Sequence, residues 1–308
     1  KDIVVAVIDT GIDPNHPFLK DNLYVLNGKA SQKNYGVDFS KGNKKSKQPN
    51  DKHGHGTHVA GIVKSVFPDV NILTLKYYNP QASGQENLNS TIDALRYAVE
   101  QNVDIINYSG GGPEPSLEEL KILKKAEEKG ILVVAAAGNE DSDIDEKSHA
   151  YYPASYGLDN IITVTAHNQK LKMLSSSNYG KKSVHLSAPG YRIKSSLPHG
   201  RAGYLTGTSQ ATAFVSGVAA LLKSQHPDLS TLELKKTLVK SAQKEVTLLG
   251  KCRSGGRLDA TRAFKLAKKV ENTKKPNREV ATNRKPDSVS KDDGAILYLK
   301  AGKPVKRT

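Results

Sequence analysis

The chain has 308 residues, 37% hydrophobic and 25% charged, with a formal net charge of +15. That composition suits a globular protein of one large or two small domains, with no run of the ~18 apolar residues that a membrane-spanning helix needs. Its single cysteine, Cys252, excludes an internal disulfide, and a lone thiol in a glycine-rich loop with no histidine nearby in sequence reads as incidental.

Lys1 leads almost directly into Ile3-Val4-Val5-Ala6-Val7-Ile8, a buried strand by pattern. No signal peptide is legible, and a start on a core strand fits a processed chain. Asp9-Thr10-Gly11 follows. A carboxylate at the C-terminal end of a buried strand lies where open α/β sheets place their sites. The same residues can simply form a turn. Half of an aspartic-protease pair is a third reading, but that chemistry needs two such carboxylates and the chain has no second Asp-Thr-Gly.

Lys41 to Lys52 reads as a mobile polar loop. It ends at His53-Gly54-His55-Gly56-Thr57-His58-Val59-Ala60-Gly61. Three histidines invite a metal reading, but no His-Glu-x-x-His or set carboxylate spacing accompanies them. The Gly-Thr pair before apolar residues reads instead as a helix start, with His55 at its mouth as a general base and His58 turned inward. No metal ligand is assigned.

Asn71–Leu75 reads as a strand, Ala82–Gln85 as an open stretch, and Ser90–Gln101 as an amphipathic helix capped by Ser90. Val103–Tyr108 is a third strand, running into Ser109-Gly110-Gly111-Gly112, a side-chain-poor edge where another backbone can lie. Ser116-Leu117-Glu118-Glu119 opens a helix with a capping box, which Gly130 ends. Ile131–Ala137 is a fourth strand, stopping at Gly138-Asn139-Glu140, where an amide can serve as an oxyanion donor. Ile161–Ala166 and Val184–Leu186 are further strands.

Gly207-Thr208-Ser209 opens an apolar run to Leu222 that reads as a buried helix capped by Thr208. Ser209 then stands where free N–H groups and the positive dipole end gather. It is either a helix-end residue or a nucleophile with donors waiting for its oxyanion. Ser230-Thr231-Leu232-Glu233 caps one more helix, and Arg257 leads into a last short one.

Strands alternating with helices over residues 1–267 predict an α/β fold, a three-layer sandwich with a mostly parallel sheet and helices on both faces. Residues 268–308 form a basic tail, 12 Lys/Arg against 5 Asp/Glu. The tail reads as flexible apart from the apolar patch 295–299. The positive charge suits anionic surfaces or polymers, yet no motif points to a specific nucleic-acid partner.

The chain resembles the subtilisin-like serine proteases (subtilases, peptidase S8) across nearly all of residues 1–267. Three motifs agree in order and spacing: Asp9-Thr10-Gly11, His55-Gly56-Thr57-His58-Val59-Ala60-Gly61 and Gly207-Thr208-Ser209. Ala137-Gly138-Asn139 adds a fourth. The resemblance implies a serine endopeptidase working through an acyl-enzyme. Ser209 would be its nucleophile, His55 the general base, Asp9 the residue orienting His55, and Asn139 with the Ser209 N–H the oxyanion hole. It implies that substrate lies as an added β-strand between Ser109-Gly110-Gly111 and Ala82-Ser83-Gly84, the glycines letting its backbone approach. Ala136, Gly138, Glu140 and Tyr151 would surround the main specificity pocket. Tyr151 replaces a glycine at the base of that pocket, so it shortens the pocket or swings away. Glu140 lies at the rim and could favour a basic residue.

Gln210, Ala213 and Phe214 depart from the family's Met, Pro and His. No cofactor is implied for the chemistry. Structural calcium is possible, but the usual loop between His58 and Ile72 is too short for its site. Protein or peptide substrates, a removable propeptide and a secreted or extracytoplasmic location also follow from the resemblance; the oligomeric state does not. Two other readings stay open: a silent subtilase fold used for binding, and a metal-dependent hydrolase built on His53, His55 and His58.

Overall fold

The computed structural model describes residues 2–26, 28–42 and 44–274. The chain divides into a unit over Lys1–Asn272 and a second from Thr273 to Thr308. The patch 295–299 and nearly all of the expected flexible tail lie outside the described residues.

The first unit is built on β1 (Val4–Asp9). A short antiparallel pair, β2 (Tyr24–Val25) and β3 (Gly28–Lys29), precedes β4 (Gly36–Asp38) and helix α1 (His55–Val66). Then come β5 (Asn71–Lys76), α2 (Gly84–Glu100), β6 (Ile105–Tyr108), α3 (Leu117–Glu128), β7 (Leu132–Ala136), β8 (Ile161–His167) and β9 (Leu186–Pro189). A hairpin of β10 (Ile193–Leu197) and β11 (Arg201–Leu205) leads to α4 (Thr208–Gln225). The remaining elements are α5 (Thr231–Ser241), β12 (Gln243–Lys244), β13 (Gly256–Arg257) and α6 (Ala260–Lys274), the last extending past the expected stop near Ala267.

Nine strands form one sheet in the order β12-β13-β9-β8-β7-β6-β1-β5-β4. All pairs are parallel except β12 with β13. Both faces are covered, so its strands read as near-continuous apolar runs. Val5 and Val7 point into a core shared with Val59 and Ile62 of α1 and Ala211 and Val215 of α4. Ala6 and Ile8 point the other way, to Leu95 of α2 and Leu123 of α3. Each such aliphatic burial contributes about 1.5–3 kcal/mol. The three-layer expectation therefore holds.

This alternation also aims the site. Asp9 continues the series Val5, Val7, so the pleat turns its carboxylate toward the α1 and α4 layer. Around β1 the strand order reverses, with β5 on one side and β6 on the other. The carboxyl ends of the strands open a crevice at such a switch point.

Two helix starts differ from expectation. Helix α2 begins at Gly84, six residues before Ser90, because Ser83 and Glu86 form a full capping box. Ser90 is a buried helix residue whose hydroxyl donates to the Phe39 carbonyl. At α3 only half of the expected box forms. The Ser116 hydroxyl accepts the Glu119 N–H, but the Glu119 carboxylate takes the hydroxyls of Tyr108 (2.7 Å) and Tyr156 (2.8 Å) instead. The box at Ser230 and Glu233 is complete.

Candidate active site

Asp9 is 3% exposed. Its Oδ1 lies 2.7 Å from His55 Nδ1 and accepts the Thr10 N–H, also at 2.7 Å. His55 is the first residue of α1, so its ring stands at the helix mouth, one-quarter exposed. Burial lowers the His55 pKa, but the charge and hydrogen bond of Asp9, helped by the charge of Asp51, outweigh it and raise the net value above the usual 6.5.

The start of α1 carries no capping side chain of its own, since Gly54 is its N-cap. Asp51, buried in what read as a mobile loop, supplies the acceptors. Its Oδ1 takes the N–H groups of His53 (3.0 Å) and Gly54 (2.7 Å) and the Thr10 hydroxyl (2.9 Å). Its Oδ2 takes the N–H (2.9 Å) and hydroxyl (2.7 Å) of Thr57. Burial opposes that charge, but these bonds win and hold the Asp51 carboxyl below its ordinary range. The loop is tied down as well, by bridges Ile12 to Asn50 and Asp38 to Ser46. The Thr10 hydroxyl accepts the Gly56 N–H (2.9 Å), joining β1 to α1. A Cβ on Gly56 would stand 2.2 Å from the Gly11 carbonyl oxygen, so only glycine allows that approach. Sequence reasoning missed Asp51. The available signal was a helix starting at Gly-His with no capping residue, whose first N–H groups need an acceptor from outside.

Ser209 lies in the first turn of α4, 6% exposed. Its hydroxyl donates to the Ser109 carbonyl at 3.2 Å and makes no hydrogen bond with His55 among the described residues. Thr208 does not cap the helix as expected. Gly207 is the N-cap, and Thr208 directs its N–H (3.0 Å) and hydroxyl (3.2 Å) to Asn139 Oδ1. Those bonds fix the Asn139 amide with its NH₂ turned the other way. Behind Ser109, a buried chain runs from the Ser216 hydroxyl to Asn107 Oδ1 (2.8 Å) and from Asn107 Nδ2 to the Ser109 hydroxyl (2.9 Å).

The two sides expected to hold substrate differ from their sequence reading. Ser83 and Gly84 belong to the start of α2 and form no strand. Gly84 does line a cleft of about 420 Å³ with Gly111, Gly112 and Tyr77. A Cβ on Gly110 would meet the Tyr77 hydroxyl at 2.5 Å, and one on Gly111 would meet the Tyr151 ring at 2.4 Å. Tyrosines of this chain, rather than an incoming backbone, already require those glycines. The Tyr151 ring neither swings away nor leaves the space open: it packs against Gly111 and faces Gly138, where a Cβ would stand 3.2 Å from it. Glu140 Oε2 is tied to Asn178 Nδ2 at 2.6 Å. Ala136 is buried at the end of β7.

The three histidines do not converge. His55 faces Asp9, His58 Nε2 faces the carbonyls of Ile193 (2.9 Å) and Gly203 (3.2 Å), and the His53 ring packs edge-on to Tyr78. Among the described residues no group of three or more His, Cys, Asp or Glu is placed to hold a metal ion. Only residues 67–70 separate α1 from β5, and the Asn22 amide takes the carbonyls of Pro68 and Val70, each at 2.7 Å. Cys252 is buried against Ser254.

A model of the Subtilase family matches residues 1–282. The chain belongs to the subtilase family. This subtilase is 37% identical over 233 residues to the major intracellular serine protease of Bacillus subtilis (strain 168), covering 73% of this chain and 69% of that protein. It is 38% identical over 252 residues to an intracellular serine protease of Paenibacillus polymyxa, covering 77% and 73%. With subtilisin E of Bacillus subtilis (strain 168) it shares 36% over 249 residues, 78% of this chain and 60% of that one. A crystal structure of a cold-adapted subtilisin-like serine proteinase matches with a TM-score of 0.68 and 28% identity, over 83% of this chain and 86% of that one. As a member of this family the subtilase is a serine protease, a hydrolase of protein or peptide substrates. No described helix is long and apolar enough to cross a membrane.

Proposed function

We propose that Asp9, His55, Ser209 and Asn139 together hydrolyse internal peptide bonds through an acyl-enzyme. The observation that carries the reading is the 2.7 Å bond from Asp9 Oδ1 to His55 Nδ1. That contact supports a tautomer with the proton on Nδ1, facing Asp9, and Nε2 free to act as the base. The scheme requires the Ser209 side chain to rotate away from the Ser109 carbonyl and direct its hydroxyl to that nitrogen. Ser209 Oγ attacks the carbonyl carbon while His55 takes its proton. The C–N bond then breaks as His55 returns the proton to the leaving amine, and water repeats the sequence to release the acid. Asp9 remains ionised throughout and stabilises the charged imidazole. The oxyanion is held by the Ser209 N–H and Asn139 Nδ2, in a site with no step assigned to a metal.

A peptide lying against Ser109–Gly112 as an added strand fits this scheme. Tyr151, filling the space between Gly111 and Gly138, favours a small side chain next to the scissile carbonyl. The propeptide and the extracytoplasmic location rest on resemblance alone, and two relatives carry the word intracellular in their names. The test is labelling by a fluorophosphonate with peptide mapping, beside casein hydrolysis, for the parent chain and Ser209→Ala. Labelling on Ser209, with hydrolysis reduced about 10⁶-fold in the mutant as for the equivalent loss in a subtilisin, is the expected result. A folded protein that is neither labelled nor active would overturn the reading and leave a binding role.

A further inference from the structure

We infer that the lysine-lined cleft beside His53 binds an acidic side chain of the peptide substrate, close to the scissile bond. The inference rests on the proteolytic reading above and adds a charge preference to it.

The cleft has a volume of about 600 Å³. Thr10 and His53 form its wall on the Asp9–His55 side, and Tyr78 separates it from the cleft along Gly111 and Gly112. Lys41, Lys52 and Lys76 line it, against one carboxylate, Asp38. The acids close by are committed elsewhere. Both oxygens of Asp51 face inward to the start of α1, and Asp38 Oδ1 accepts the N–H (2.9 Å) and hydroxyl (2.6 Å) of Ser40.

Lys76 comes from the end of β5 and is pinned by a 2.7 Å bond from Nζ to the Asn50 carbonyl. Its amine is lowered chiefly by burial, with Asp38 and Asp51 opposing and the charges of Lys41 and Lys52 adding to the lowering. Three amines thus crowd a concave surface with too little negative charge to balance them. A carboxylate entering there relieves that repulsion and gains hydrogen bonds from a partly buried donor. His53 packs against Tyr78 and its ring centroid lies 6.3 Å from that of His55, so side chains of a peptide held at the proposed site come within reach of the cleft. A basic side chain at the same point meets like charge.

The experiment compares kcat/KM for three peptides that differ at one position, scanned over the residues flanking the cleaved bond: Asp, Asn or Lys. The parent chain and a Lys41→Glu/Lys52→Glu variant are both measured. Both lysines are exposed, and circular dichroism checks the fold. At one position the parent is expected to favour Asp over Lys by about tenfold, the size of one well-placed ion pair. The variant is expected to bring that ratio to one or below, and added salt to shrink it in the parent. A ratio that is flat in the parent at every position overturns the inference, as does a preference the variant retains. Inhibition by inorganic phosphate without any peptide preference also overturns it, since the cleft would then take free anions only. Cleavage of the Asn peptide separates the two readings. If it is cut without an acidic preference only this inference fails, whereas no cleavage of any peptide by folded protein ends both.

Discussion

Two helices begin at the same crevice, and their N-termini are treated in opposite ways. Both α1 and α4 have glycine at the N-cap and no capping side chain of their own. At α1 the protein fills the vacant donors itself: the Asp51 carboxylate takes the N–H groups of Gly54 and Thr57, and the Thr10 hydroxyl takes that of Gly56. At α4 the N-cap Gly207 N–H goes to the Gly190 carbonyl (2.9 Å) and the Thr208 N–H to Asn139 Oδ1 (3.0 Å). The Ser209 N–H meets no acceptor among the described residues. A helix end satisfied from within holds His55 in place; one left open, with an amide beside it, is the end to which the proposed mechanism assigns the oxyanion. On that proposal one fold uses the same local device once as an anchor and once as a receptor.

The contrast can be broken at several points. After the loss of Ser209 itself, the largest effect is expected for Asp9→Asn, which removes the charge facing His55 and leaves the shape. Turnover should fall about 10⁴-fold, as for loss of this carboxylate in a subtilisin. The pH profile sharpens the attribution. The proposed mechanism needs neutral His55, whose pKa lies above 6.5 because Asp9 outweighs burial. Activity should therefore rise with pH through a midpoint above 6.5 in the parent, and the residual activity of Asp9→Asn should titrate lower, where burial prevails. An unmoved midpoint would mean that another group titrates.

Next comes the open helix end. Asn139→Ala should cost about 10²–10³-fold in kcat with little change in KM, the loss known for one such donor in a subtilisin. A change confined to KM would assign Asn139 to ground-state binding instead. The smallest effect on chemistry is expected from Asp51→Ala at the filled end, where stability is the main readout. Five donors lose their acceptor, at a cost of about 2–4 kcal/mol. Because the Asp51 carboxyl is held below its ordinary value, its stabilisation is present above that value and is lost as pH falls through the folded one. The gap in Tm between parent and mutant should narrow as pH drops below 3.8, which thermal unfolding at graded pH would show.

Asp9, His55, Ser209 and Asn139 were legible because each sits at a strand or helix end that apolar periodicity marks on its own. The parallel sheet was legible for the same reason. Helix α2 was misread at its start, since Gln85, Glu86, Asn87 and Asn89 carry no apolar period and the Ser83 cap lies seven residues ahead of Ser90. The glycines at 110 and 111 were visible but their cause was not, because the tyrosines that press on them come from positions 77 and 151. Asp51 left only an indirect mark, the uncapped start of α1, because a carboxylate in a lysine-rich loop looks the same whether it meets water or five protein donors. What periodicity and local motifs cannot express is which distant segment fills a given space.

The hairpin of β10 and β11 carries a consequence for synthesis. His58, one turn into α1, is held by carbonyls of Ile193 and Gly203 from that hairpin. Asp9 and Ser209 lie 200 positions apart (209 minus 9). A nascent chain emerging from the ribosome thus carries the base and its partner long before the hairpin that steadies their helix, and before the nucleophile exists outside the exit tunnel. Pairings of such sequence separation form late. With Ser209 as the proposed nucleophile, the growing polypeptide is accordingly inert toward itself and its neighbours until that residue has been made, and cutting activity arises only after it.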